Sequence, residues 1–327
     1  MLTKILNIEV PPIYGYLHHA YHLSVAQRHP QFYKWFYCNY IQLEYNPTTD
    51  WLNFYSLDIK KNYYPLLNVE VLSNTTIKIN KVDILDFIIN CVNNNRYIWL
   101  YTDEFYDPNK TSFNTRHFVH ESLIYGYDLN NRCFYSVGFN NKYLYATSII
   151  NFEDFLIAYN SVETHFEIRT FKPDTNVSYE FDLINVKGLM EDYVYSNNSS
   201  LRNRMFGCTN NSDIIYGIEI YKYLKMNFEN PISSDYLNDI RPLHILSEHK
   251  KTMVSRIKFL YDNKYIDSPE TIINEFIDIE DKVLLLRNIQ IKYIITGKIE
   301  LIQKIVKSFN ELYIQETQAY TDLINRI

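Results

Sequence analysis

Two histidines and a carboxylate crowd the stretch Tyr101–Asp128, YTDEFYDPNKTSFNTRHFVHESLIYGYD. Asp103 ends an apolar run, a polar loop follows, and His117 and His120 close that loop. His120 opens a second apolar run that finishes in the turn signal Gly126-Tyr127-Asp128. An imidazole at the mouth of a buried strand is held at the edge of a cleft, where it can work as a general base. It can equally be a core histidine bonded to a backbone carbonyl. His117 reads as a loop histidine beside the same cleft. A base of this kind needs a nucleophile, favoured at a helix N-terminus by the dipole, and a third group that orients the ring.

Other constellations carry less. His18 and His22 stand four residues apart on one helix face, and His120 could complete a three-histidine metal site. No HExxH accompanies them and no acidic ligand is near, so no metal is expected. Cys38, inside WFYCNYI, is another candidate nucleophile, although its surroundings are those of an inert buried thiol. The four cysteines (Cys38, Cys91, Cys133, Cys208) are widely spaced with no CxxC pair, which argues against a disulfide framework and against zinc. Glu248-His249-Lys250 reads as a solvated helix face.

The elements that must position these residues follow from periodicity. A helix is expected over about 17–28, after Gly15 and stopped by Pro30. Residues 31–45 are a short helix or a buried strand, and 46–50 a turn. Strands are expected within 51–80, including VEVLSNTTIKI, then a helix over 82–95 and a strand over 97–103. Two strands joined by the turn Asp128–Asn131 come next, then a further strand, a helix from about 152 and a strand over 165–173. Residues 174–212 are Asn/Ser-rich and read as a link. From 213 onward 3–4 spacing dominates, with Ser268-Pro269-Glu270 as a helix start. The fold class is α+β, with a core over 1–175, a linker or insert over 176–212 and a helical region over 213–327.

Composition narrows the partners. The chain has 327 residues, 46% of them hydrophobic, enough for a full core. It holds 31 Tyr and 19 Phe against 7 Gly, and most of the tyrosines are expected as half-buried packing residues. A net charge of −6 without a basic stripe points away from nucleic acid. The N-terminus lacks the pattern of a signal peptide, and no run approaches ~18 apolar residues, so a cytoplasmic protein without a membrane partner is expected.

The segment IWLYTDEFYDPN…HFVHESLIYGYDLNNRCFYSVGFNNKYLYATSIINFEDFLIAYN resembles the papain-like family typified by the butirosin acyltransferase N-terminal domain. DIRPLHILSEHKKTMVSRIKFLYD also resembles sequences of bacterial peptide-type biosynthetic clusters that carry this domain. The resemblance implies a papain-like (cysteine protease) core with an antiparallel sheet, and an amide-forming acyltransferase in natural-product biosynthesis. A cysteine would take an acyl group from a phosphopantetheine thioester on an acyl or peptidyl carrier protein. A small amine or diamine would then accept it. The phosphopantetheine arm comes with the carrier, and no other cofactor is implied. His120 would deprotonate first the thiol and then the amine, and backbone N–H groups at the start of the first helix would hold the oxyanion.

The family's cysteine lies in the first helix, and in this register its place is taken by Ala20. Three accounts stand: a Cys→Ala replacement in this chain, a homologue that has lost its nucleophile, or a shifted register. The residue that orients His120 would be Asn140 or Asp103. Lys110, Arg116 and Lys142 are candidates for a basic patch that docks an acidic carrier. Two other classes stay open: a catalytically dead binding or scaffold protein on the same fold, and a cysteine peptidase or hydrolase.

Overall fold

A computed structural model describes residues 2–56, 64–206, 213–231 and 235–327. Along the chain run β1 (Thr3–Ile5), α1 (Leu17–Ala26), α2 (Phe32–Cys38), β2 (Leu43–Asn46), β3 (Trp51–Phe54), β4 (Leu67–Ser73), α3 (Asn74–Ile79) and α4 (Ile84–Asn93). Then come β5 (Tyr97–Asp103), β6 (Val119–Asp128), β7 (Cys133–Phe139), β8 (Tyr145–Asn151), α5 (Phe152–Asn160) and β9 (Glu167–Pro173). The remainder is α6 (Leu183–Val194), β10 (Ile215–Tyr216), α7 (Ile220–Glu229), α8 (Arg241–Asp262), α9 (Glu270–Thr296) and α10 (Ile299–Ile324). The chain is therefore α+β, with an antiparallel sheet and a helical C-terminal half.

These elements fall into two interleaved units. Met1–Phe32 and Tyr63–Ser178 form the first, Tyr33–Asn62 and Tyr179–Ile327 the second. The expected end of the core near 175 lies close to the end of the first unit, but residues 33–62 group with the C-terminal half.

In the first unit seven strands pair antiparallel in the order β4-β9-β5-β6-β7-β8, with β1 on the far end of β6. Alternation along the strands sends Ile98, Leu100, Ile124 and Ile168 to one face. There they pack against Ile84, Ile88 and Val92 of α4 and Phe152 and Phe155 of α5. Asp83 starts α4 by accepting from the N–H groups of Leu85 and Asp86, and Asn151 starts α5 in the same way at Asp154. α1 covers the opposite face, where Tyr21 meets Trp99 edge-on at 5.9 Å and His22 lies 5.0 Å from the Tyr64 ring.

The second unit holds a three-stranded sheet, β10-β2-β3, and the long helices α8, α9 and α10. Arg256 on α8 is fully buried, and its guanidinium donates to the carbonyls of Tyr37, Asn39 and Tyr40 at 3.0, 2.6 and 3.2 Å. Among the described residues no helix is long and apolar enough to cross a membrane.

Four local expectations are corrected. VEVLSNTTIKI is strand only to Ser73, whose hydroxyl accepts from Thr75 N–H at 3.2 Å and starts α3. Residues 31–45 contain both a helix, α2, and a strand, β2. The Asn/Ser-rich stretch is more than a link: Asp182 caps α6, and Asp192 on that helix holds Arg202 through both carboxylate oxygens. Glu248-His249-Lys250 is buried, because α8 packs among other elements on that side.

Candidate functional site

β5 and β6 are neighbours, paired from Ile98↔Ile124 to Asp103↔Val119, so the loop between them begins and ends at one place. Glu104 N–H donates to Phe118 O at 2.9 Å and closes its base. Asp103 clamps the same point. Its Oδ1 accepts from the N–H groups of Phe105 (3.1 Å) and Phe118 (2.9 Å), and its Oδ2 lies 2.6 Å from His117 Nδ1. The His117 ring stacks on Phe105 at 4.3 Å. Burial alone would raise the Asp103 carboxyl, but the His117 contact and the two backbone donors outweigh it and hold it below its ordinary value.

His120 has a different partner from either expected one. Its Nδ1 lies 3.0 Å from Glu104 Oε1. Lys110 Nζ stands 3.8 Å from the same oxygen, and the Ser112 hydroxyl donates to Glu104 Oε2 at 3.4 Å. Burial pushes the Glu104 carboxyl up; the His120 hydrogen bond, the Lys110 charge and Ser112 more than offset this and leave it below its ordinary value. An ionised Glu104 can only accept, so it fixes the proton of a neutral His120 on Nδ1. Nε2 then carries the lone pair. The side chain is 34% exposed, and among the described residues Nε2 makes no hydrogen bond, which leaves the basic atom free to meet a substrate.

Asn140 does not reach His120. Its Oδ1 accepts from the N–H groups of Lys142 and Leu144 and shapes the β7–β8 turn. Asp103 is committed to His117. Glu104 does not stand out in the sequence because it lies beside the more conspicuous Asp103. The signal available was the doublet Asp103-Glu104 set against two histidines three residues apart, one acid for each ring.

Ala20 is the fourth residue of α1 and 0% exposed. The N–H groups of His19 and Ala20 both donate to Tyr16 O, at 3.1 and 3.0 Å, so neither is available to an oxyanion. The α1 side chain that approaches the His120 cluster is that of Tyr21. β6 pairs with β7 only as far as Leu123↔Val137, and beyond that point the two strands part. The Tyr21 hydroxyl enters this opening and donates to Glu121 O at 3.1 Å. A Cβ on Gly138 would lie 2.8 Å from that hydroxyl and 3.3 Å from Lys110 Nζ, so glycine is needed for both groups to meet there. Burial, with the nearby Tyr145, Glu121, Glu104 and Asp107, pushes the Tyr21 phenol well up, which keeps it a donor rather than a nucleophile.

The three described thiols are not activated, and Cys208 lies outside the described residues. Burial raises Cys38, which sits in the second unit against the backbone of Asp182, and raises Cys133. Cys133 pairs with Asp128, eight residues along β6 from His120 or roughly 25 Å away. Cys91, on α4, is pushed up to about 11 by burial. A reactive thiol requires the opposite shift. On α1, His22 Nδ1 is bonded to His18 O at 2.8 Å. Of the three basic residues expected on the surface, Arg116 and Lys142 are exposed, whereas Lys110 is largely covered, with its side chain 9% exposed and its Nζ donating to Phe139 O at 3.0 Å.

No protein-family model and no curated protein matches this chain.

Proposed function

We propose that the first unit is a papain-like acyl-transfer unit in which the base acts without a covalent nucleophile. The carrying observation is the His120–Glu104 pair, with its basic nitrogen open and no activated thiol among the described residues. A small amine or diamine attacks the carbonyl of an acyl thioester on a carrier protein's phosphopantetheine arm. The C–N bond forms, the C–S bond breaks, and the amide and the free thiol leave. His120 Nε2 takes the proton from the amine nitrogen and returns it to the departing sulfur. Glu104 stabilises the imidazolium in between, and Lys110 keeps Glu104 ionised. The exposed Arg116 and Lys142 meet the acidic carrier. A second reading, a binding protein that shelters a thioester without turning it over, is favoured by the buried Ala20 at the nucleophile's place.

The test is thiol release from S-acetylpantetheine in the presence and absence of a short aliphatic diamine, with mass spectrometry of the protein. The expected result is release that requires the amine, no acetylated protein, and a loss of about a hundredfold or more in His120→Ala. A stable acyl-enzyme, or an unchanged His120→Ala, overturns the direct mechanism. Binding of the thioester with no release under any amine selects the second reading.

A further inference from the structure

The face of the large sheet opposite His120 carries a separate pocket. Cross-strand partners share a face. His120 is paired with Thr102, and Leu100 and Ile98 continue that face into the core against α4 and α5. Trp99 and Tyr101 therefore project to the other side, where α1 lies. There Trp99, Tyr101, His165, Phe166, Glu167 and Arg169 line a pocket of about 220 Å³.

Trp99 is only 3% exposed, yet its indole N–H finds no acceptor among the described residues. A buried donor left open is rare in folded proteins, and a bound acceptor would complete it. Arg169 lies over the Trp99 ring at 4.7 Å. Its Nε and Nη2 both go to a single oxygen of Glu167, at 3.1 and 2.7 Å. Its Nη1 makes only a long 3.4 Å contact with the Tyr64 hydroxyl, which leaves that edge of the fork available. Tyr101 and Phe166 stack at 4.2 Å and form a flat wall. Behind Tyr101, whose hydroxyl is 3.4 Å from Glu121 Oε1, burial pushes the Glu121 carboxyl up against the pull of His120 and Arg169, which softens its repulsion of an anion.

The geometry points to a binding site for a single-ring aromatic carboxylate. The ring lies along the Tyr101–Phe166 wall, one carboxylate oxygen accepts from the Trp99 indole N–H, and the other faces Arg169 Nη1. A cavity of ~150 Å³ accommodates benzene, so about 220 Å³ admits a ring with a carboxylate. Trp99 Nε1 and Arg169 Nη1 are both donors, so an amine in the carboxylate's place finds no acceptor in either. This site is independent of acyl transfer at His120 and stands or falls separately.

Isothermal titration of the full chain with benzoate, cyclohexanecarboxylate and benzylamine tests it. Benzoate is expected to bind saturably at millimolar concentration, and the other two at least about tenfold more weakly. Trp99→Phe removes the donor and should weaken benzoate about tenfold, with thermal unfolding of the variant measured alongside to register the packing lost with the larger ring. Phe166→Leu, at a half-buried position, should abolish the preference for benzoate over cyclohexanecarboxylate and serves if the tryptophan variant does not fold. Absence of benzoate binding, equal binding of benzylamine, or variants that bind like the parent overturn the assignment.

Discussion

Glu104 carries three neighbours on two oxygens: His120 and Lys110 at Oε1, Ser112 at Oε2. Its lowered carboxyl makes this cluster a pH-dependent source of stability. A group whose folded value lies below its unfolded one stabilises the fold above the unfolded value, about 4.3 for Glu, and that contribution is lost as the pH falls through the folded value. Glu104→Gln should therefore cost about 1–3 kcal/mol at pH 7 in urea unfolding, and the gap to the parent should narrow steadily as the pH falls below about 4.3 and through the folded value. A gap that does not narrow at all as the pH is lowered through the carboxylate range would show the loss to be packing rather than charge. The position of His120 at a strand mouth is legible in the sequence because the apolar run after it is unbroken. Its partner is not, because the β5–β6 ladder and the loop closure at Phe118 decide which of two adjacent acids meets which ring. Lys110 misleads for the same reason: a lysine in a polar loop reads as exposed until the loop folds it beneath Glu104.

At the level of elements, alternation and capping announced most of the first unit. The β6–β7 hairpin, α4 with its Asp83 cap and α5 after Asn151 all lie close to where the pattern puts them. The failures have local causes. Thr-Thr-Ile-Lys-Ile has strand-like side chains, yet the Ser73 hydroxyl cap turns it into α3. α6 hides in a polar stretch because its buried face, otherwise apolar, is interrupted by Gly188 and Asp192. The charged stretch on α8 reads as solvated, but Lys250 is fully buried and bound to Glu316 of α10. The Tyr193 hydroxyl of α6 and the Tyr221 hydroxyl of α7 donate to the same carboxylate at 3.1 and 2.7 Å. Four helices thus converge on one ion pair. Lys250→Met or Glu316→Leu alone should destabilise by about 3–5 kcal/mol, each leaving one buried charge unmatched. The double variant should recover most of that loss. A double variant whose loss equals the sum of the two singles in chemical denaturation would argue that the ion pair itself is not the coupling between them.

At the scale of the whole chain two units alternate along the sequence, and the second depends on residues made far upstream of most of it. Arg256 of α8 rests on the carbonyls of Tyr37, Asn39 and Tyr40, and His249 on that of Ile41 at 2.7 Å. A fragment of residues 179–327 lacks all four acceptors. It is expected to be molten, with helical far-ultraviolet but weak near-ultraviolet dichroism, and fusion of residues 33–62 to it should restore cooperative unfolding. A cooperatively folded 179–327 would refute this. The division near 175 could be read from composition, but the excursion at 33–62 could not, since nothing local distinguishes an aromatic segment that packs on its neighbours from one that packs on a distant helix. The alternation also sets a timetable for synthesis. Tyr33, Trp35, Phe36 and Tyr37 leave the ribosome early, whereas α8 to α10, in the unit they join, are made last. At ~5–20 residues per second an aromatic, adhesive segment waits on the order of ten seconds or more for its partners. Slow codons after residue 178 would lengthen that wait and with it the time during which the segment can aggregate.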